Sequence, residues 1–330
     1  MPEELTWRNL LGKIISDPRQ KQHLAETMNI KPITLERWTR GDVDPRIPNL
    51  RSLINNLPLY RDQFLDLLQE EGFEELDDIA QEDTSQEIPA EFYRKVLSYR
   101  ESTSDLQRFW TISTMILQKA LEQLDPERQG LSVIVVRCMT PPEGDTKVRS
   151  LRETVGRGTP PWVEDLEHHA LFLGAESLAG HVVSLCRSRT IQNVKTDRFL
   201  LPAMLVDYEI SAAAYPIMYT GRIAGCFLVS STQQNYFLSQ ARLALIQNFT
   251  DLLALAIEPE DFYDPSDIQL GIMPDHTIQK KYFANFRDRV TTAMIMGTKE
   301  KRTLNSLEAE EYVWRQLETE LLRVGAGEMS

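Results

Sequence analysis

The sequence predicts a multidomain chain: an N-terminal all-α domain, a central domain that mixes strands with helices, and a C-terminal helical extension. Three observations carry that prediction. Residues 5–68 set apolar side chains at helical spacing between prolines. Residues 66–91 hold eleven acidic groups and no basic one, the composition of a self-repelling connector. Residues 104–258 alternate helical segments with β-branched runs. The boundaries fall at 1–68, 69–103 (an acidic helical linker), 104–258 and 259–330. A length of 330 residues suits about two domains with cores of their own.

In the N-terminal domain, Trp7, Leu10, Leu11, Ile14 and Ile15 share one helical face. Asp17 caps a second helix that has Pro18 at its first position. Pro45, Pro48 and Pro58 punctuate the later part of the domain, and Leu50, Leu53 and Ile54 supply another core helix. The acidic run comes next, preceded by Phe64, Leu65, Leu67 and Leu68.

Within this stretch, residues 24–41 read LAETMNIKPITLERWTRG. Ala25 is small where two helices must approach closely, and Leu24, Met28, Ile30, Leu35 and Trp38 are spaced to lock them together. Asn29 occupies the tight turn, where asparagine tolerates the left-handed conformation. Pro32 suits the first turn of the second helix and Gly41 its stop. This pattern resembles the phage-repressor (Cro and lambda-repressor-like, XRE-type) helix-turn-helix family, whose second helix also ends in Trp-x-x-Gly before a proline, here Pro45. The resemblance implies double-stranded DNA as partner, with residues 32–40 in the major groove. Ile33, Glu36 and Arg37 then face outward. Arg37 is the base-reading candidate, since arginine binds guanine bidentately, and Ile33 meets a thymine methyl. Lys31, Thr34 and Arg40 are phosphate partners, joined by Gln20 and Gln22 from the preceding helix.

The central domain begins with a helix over Ser104–Leu124. Strands are predicted over Leu131–Val136, Ala170–Leu173, Thr190–Val194, Ala212–Tyr219 and Ile223–Ser230. Helices are predicted near Ser177–Arg187 and Phe199–Val206, with a long one from Ser239 to Ile257. Gly221–Arg222 is read as a hairpin turn, with Pro216 in the strand entering it. The run from Ser211 through Pro216 and Gly221 to Gly225 resembles the GAF family, a small-molecule-sensing and dimerisation module, over residues 104–258. That resemblance implies an α+β domain with a six-stranded antiparallel sheet and a pocket lined by Phe172, Leu173, His181, Asn193, Phe199, Tyr208 and Tyr215. It implies a homodimer and a small-molecule effector, and it names no cofactor.

Residues 259–330 predict a turn-rich start and two helices, one around 277–296 and one around 306–323. The last has Asn305 as N-cap and Glu308 at the capping-box position.

Composition bounds the function. The net charge is −13, which excludes a uniformly basic nucleic-acid-coating protein. Residues 1–65 nevertheless carry +2, residues 66–91 carry −11 and residues 92–330 carry −4. The total therefore does not oppose a small DNA-reading module. Cys138, Cys186 and Cys226 make an odd, sparse set that favours a reducing cytosol over a disulfide framework. They read as small buried residues; a redox-sensing or chromophore-anchoring role for Cys186 and Cys226 stays open. His168–His169 has no partner at metal spacing, so no metal is expected. No phosphate loop, H-E-x-x-H or G-x-S-x-G occurs, so no catalytic residue is assigned. The N-terminus shows no signal peptide. Arg242, Gln247, Asn248 and Asp251 interrupt Ala241–Ile257 and argue against a membrane span. The expected protein is a cytoplasmic transcription regulator controlled by a sensor domain. The alternatives are an interaction or scaffold protein and a cysteine-dependent GAF-type reductase.

Overall fold

The computed structural model describes residues 6–28, 30–57, 60–71, 87–142, 144–164, 166, 171–195, 208–299 and 305–327. Asn29, Pro58, Phe199, His168–His169, the predicted helix Phe199–Val206 and the middle of the acidic run lie outside them. The chain divides into two compact units, Met1–Glu87 with Leu238–Leu245, and Ile88–Phe237 with Ile246–Ser330.

Among the described residues, the first unit contains α1 (Trp7–Ile15), α2 (Pro18–Thr27), α3 (Pro32–Arg40), α4 (Ile47–Asn55) and α5 (Arg61–Glu70). The first two helices begin on side-chain caps: Thr6 accepts from the Asn9 N–H, and Asp17 from the Arg19 N–H. Gly41 ends α3 in the left-handed conformation at φ +76°. Trp7, Leu11, Leu24, Ala25, Leu35, Trp38, Leu50, Leu53, Ile54, Phe64 and Leu68 fill one core, with Met28 and Ile30 packed against it. The indole N–H of Trp7 donates to Glu71 (2.8 Å), tying the start of α1 to the residue after α5.

The second unit opens with α6 (Ala90–Ser102) and α7 (Asp105–Leu124). Arg100 grips both oxygens of Glu258 (3.0 and 3.1 Å), and Arg108 pairs with the same carboxylate. Six strands then appear among the described residues: β1 (Leu131–Cys138), β2 (Leu151–Gly158), β3 (Phe172–Leu173), β4 (Arg189–Ile191), β5 (Ser211–Tyr219) and β6 (Arg222–Ser231). They form one antiparallel sheet in the order β3-β2-β1-β6-β5-β4. Five of the strands match predicted runs. Strand β2 does not, because Arg152, Glu153, Gly156, Arg157 and Gly158 leave no apolar alternation to detect. The β5–β6 turn is Thr220–Gly221 rather than Gly221–Arg222. Both residues take positive φ (+48° and +79°), as a two-residue turn matching strand twist requires, and Arg222 already pairs with Tyr219. Pro216 is tolerated because β4 pairs only as far as Ala214.

Helix α8 (Leu178–Leu185) packs on β5 and β6, and α7 on β1 and β2. Strand register gives each helix its face. Val136, Cys138, Cys226 and Ala214 share a cluster with Ala179, Val182 and Val183 of α8. Arg137, which points the other way, lies over the ring of Phe109 in α7. Helix α9 (Gln240–Leu253) follows β6.

The C-terminal region holds α10 (His276–Phe283), α11 (Phe286–Lys299) and α12 (Ser306–Gly325). The single helix expected over 277–296 is thus two, broken at Ala284–Asn285. The break lets Phe283 and Phe286 both reach Trp314 of α12, at ring separations of 5.8 and 4.2 Å. The Asn305–Glu308 capping box forms in both directions, each bond 2.9 Å. Ser150 donates to the buried Glu318 of α12 (2.6 Å), and burial holds that carboxyl above its ordinary pKa.

Candidate functional site

Two regions gather the chemistry. On α3, burial of Leu35 and Trp38 turns Lys31, Ile33, Arg37 and Arg40 outward, while Thr34 and Glu36 are half-buried. Ile33 is 52% exposed. Glu36 is engaged within the unit. Lys21 of α2 pairs with it and Arg40 lies 3.6 Å away. The hydrogen bond from Lys21, then its charge, holds the Glu36 carboxyl below the usual range. Gln20 and Gln22 are exposed on α2, and Gln22 donates to Glu26 (2.7 Å).

The second region is the sheet face under α8. A bulge in β2 shapes it. Val135 pairs with Val155, but Val136 pairs with Glu153, so Thr154 is the extra residue and its hydroxyl donates to the Val135 carbonyl (2.8 Å). An unbulged ladder would set Glu153 opposite Arg137, on the α7 face. The bulge turns it to the α8 face instead, beside Val136 and Cys226. In the middle of that face Ile134 and Leu228, paired across β1 and β6, are only partly covered. Further along β2, Gly156 and Gly158 make room for cover. A Cβ on them would lie 3.0 Å from Leu166 and 2.6 Å from Trp162, respectively. Tyr208 meets the ring of Trp162 edge-on at 5.0 Å. Burial, and then the nearby charge of Glu209, pushes the Glu153 carboxyl up to about 8. Glu209 accepts from the Ser230 hydroxyl (2.7 Å).

An antiparallel sheet of this order with α8 across one face matches a known module. Residues 111–257 match the family model described as GAF domain. These residues form a GAF domain. No curated protein sequence matches the chain. Among solved structures, the chain is similar to a type II free methionine-R-sulfoxide reductase from Thermoplasma acidophilum. Identity is 16%, coverage 48% of this chain and 98% of that one, and the TM-score 0.34. It is similar to the GAF domain of an Acinetobacter phosphoenolpyruvate-protein phosphotransferase at 16% identity, with 49% and 88% coverage and a TM-score of 0.36. It is similar to the GAF-B domain of DevS from Mycobacterium smegmatis at 19% identity, with 45% and 91% coverage and a TM-score of 0.31. None of these likenesses assigns an activity to the chain.

The GAF domain distributes the expected pocket residues over two faces and the loops. Leu173 lies in the cluster under α8. His181, on α8, accepts at Nε2 from Arg189 of β4 (2.7 Å). Asn193 accepts from the Lys195 N–H (3.0 Å). Tyr208 leans on Trp162. Phe172 and Tyr215 face the other way. Phe172 packs into the C-terminal cluster, and Tyr215, opposite Phe227, is buried with its hydroxyl pushed up to about 12 by desolvation. Phe199 lies outside the described residues. Sequence reasoning missed Glu153, since it missed β2. The signal available was a lone acidic residue in a stretch whose flanking strand, β1, was evident.

The three thiols are free. Burial pushes Cys138 up to about 12 and raises Cys226 and Cys186 as well, so each stays protonated near neutrality. Among the described residues no group of three or more His, Cys, Asp or Glu is placed to hold a metal ion. None of the described helices is long and apolar enough to cross a membrane.

Proposed function

We propose that the chain is a DNA-binding transcription regulator whose operator affinity is set by a small molecule bound to its GAF domain. The exposed face of α3 carries the DNA reading: Lys31, Ile33 and Arg37 project from a short helix whose opposite side is locked by Leu35 and Trp38. Arg37 reads a guanine, Ile33 meets a thymine methyl, and Lys31, Thr34, Arg40, Gln20 and Gln22 contact phosphates. The engagement of Glu36 by Lys21 supports this reading, because it lowers the repulsion an acidic residue would present to the DNA backbone. The chain works as a homodimer, since paired half-sites need two reading helices about one turn of DNA apart. A ligand that favours one dimer geometry shifts operator affinity by its difference in affinity for the two. We assign no catalytic step to the chain: the protonated thiols of Cys138 and Cys226 are poor nucleophiles.

The test is selection of duplexes from genomic fragments, with binding then measured across salt concentrations. Arg37→Ala is expected to weaken the selected duplex by about 1–3 kcal/mol and relax specificity at one position. Lys31→Ala is expected to weaken all duplexes alike and lower the salt slope by about 1. A chain with no salt-dependent affinity for any duplex rules the proposal out.

A further inference from the structure

We infer that the bulged face of the GAF sheet recognises an organic cation, an amine or amidine on an apolar body, whose charged head is held by the Glu153 carboxylate. The inference rests on the reading that this domain binds a small molecule, and it names the chemistry of that molecule.

Three observations converge. First, the bulge at Thr154 sets the face to which Glu153 points; with regular pairing it would lie opposite Arg137 on the other side. Bulges of this kind re-aim single side chains near binding sites. Second, Glu153 is half-buried, and among the described residues no side chain donates a hydrogen bond to its carboxylate. The two arginines nearest in register, Arg137 and Arg152, belong to the opposite face. There Arg137 pairs with Asp261 (2.6 Å) and Arg152 lies over the Trp314 ring (4.5 Å). Arg189 belongs to β4, four strands from β2, about 19 Å at ordinary strand spacing. Third, the neighbouring floor is apolar and partly open. Ile134 and Leu228 occupy the two central strands, where complete cover is usual, yet both keep accessible surface. An apolar floor edged by a carboxylate that no described side chain pairs with complements an apolar body bearing a single cationic group.

Among the described residues, the titratable groups that bear on Glu153 are Glu209 and the Cys226 thiol; β1 and β3 bring Val136 and Leu173 to this face, and α8 brings Val182 and Val183. Neither titratable group is a cation. An unliganded Glu153 therefore holds its proton through neutrality, and a bound cation expels it. Binding thus releases one proton below about pH 8.

The experiment is calorimetric titration of the full chain with benzamidine and phenethylamine, and with their neutral counterparts benzamide and 2-phenylethanol, at pH 8.5, 7 and 6. The cations are expected to bind about tenfold or more tightly than the neutral compounds at pH 8.5. Their affinity should fall about tenfold between pH 7 and 6, while that of the neutral compounds stays level. Glu153→Gln keeps the shape and removes the charge; it should abolish both the cation preference and the pH dependence and leave the neutral compounds unaffected. Equal binding of cation and neutral counterpart to the wild type overturns the inference, as does a cation preference that survives Glu153→Gln. In either case binding of the neutral compounds leaves the small-molecule reading standing. Absence of binding by all four compounds, with no change in hydrogen exchange at the β1 and β6 amides, removes both.

Discussion

Glu153→Gln is expected to stabilise the unliganded GAF domain by about 2–3 kcal/mol at pH 8.5 and to leave its stability unchanged near pH 4. The sign comes from the direction of the shift. In the unfolded chain this carboxyl ionises near its ordinary value of 4.5, and in the folded domain near 8. The folded state therefore binds the extra proton. Its advantage is fully present below the unfolded value and is lost as pH rises through the folded one. At pH 8.5 the wild type must either ionise a desolvated carboxyl that no described side chain pairs with, or unfold. The full interval would approach about 5 kcal/mol; a half-buried carboxyl retains some solvation, which brings the expectation down. Glutamine has the same shape and no charge to desolvate. Hydrogen exchange of the β1 and β2 amides confines the measurement to this sheet. Parallel stability curves for the two proteins from pH 4 to 8.5 would show that the carboxyl is solvated in the folded state.

Parts of this molecule were legible from local sequence. The β-branched run Leu131–Val136 announces β1, and Asn305 with Glu308 announces the start of α12 down to its reciprocal cap. The spacing of Leu24, Leu35 and Trp38 and the small size of Ala25 mark them as packing residues, and all four are buried. The hidden parts depend on pairing between distant segments. Strand β2 carries charged and glycine residues and exists because β1 offers it a ladder. Whether Phe172, Leu173 or Tyr215 faces α8 is decided by register, and register turns on one inserted residue, Thr154, and another irregularity between Ile217 and Met218. No spacing rule reports such an insertion. The same holds for the pair Ala284–Asn285, where a break in the helix is set by the need of two phenylalanines to reach one tryptophan. Residue types thus revealed the elements, and long-range pairing assigned the faces.

Phe172 makes that distinction measurable. Its neighbour Leu173 joins the cluster under α8, but Phe172 points away, stacks on Phe283 at 6.1 Å and meets Trp314 edge-on at 5.9 Å. Gln279 of α10 completes the joint from the backbone side. Its side chain accepts from the Phe172 N–H (2.9 Å) and donates to the Phe172 carbonyl (2.8 Å), continuing the sheet edge as a strand would. Phe172 is fully buried. Phe172→Ala should therefore destabilise the second unit by about 3–5 kcal/mol, with exchange protection lost first in α10 and α12. Phe172→Leu should cost less, about 1–1.5 kcal/mol, because most of the volume is retained. Gln279→Ala strands two backbone groups and should cost about 1–3 kcal/mol with the same pattern of lost protection. If instead Phe172→Ala keeps its stability and loses affinity for small molecules, the side chain lines a binding site and the C-terminal helices are held by something else. The two outcomes differ in which amides exchange, so one measurement on the apo chain separates a structural plank from a pocket wall.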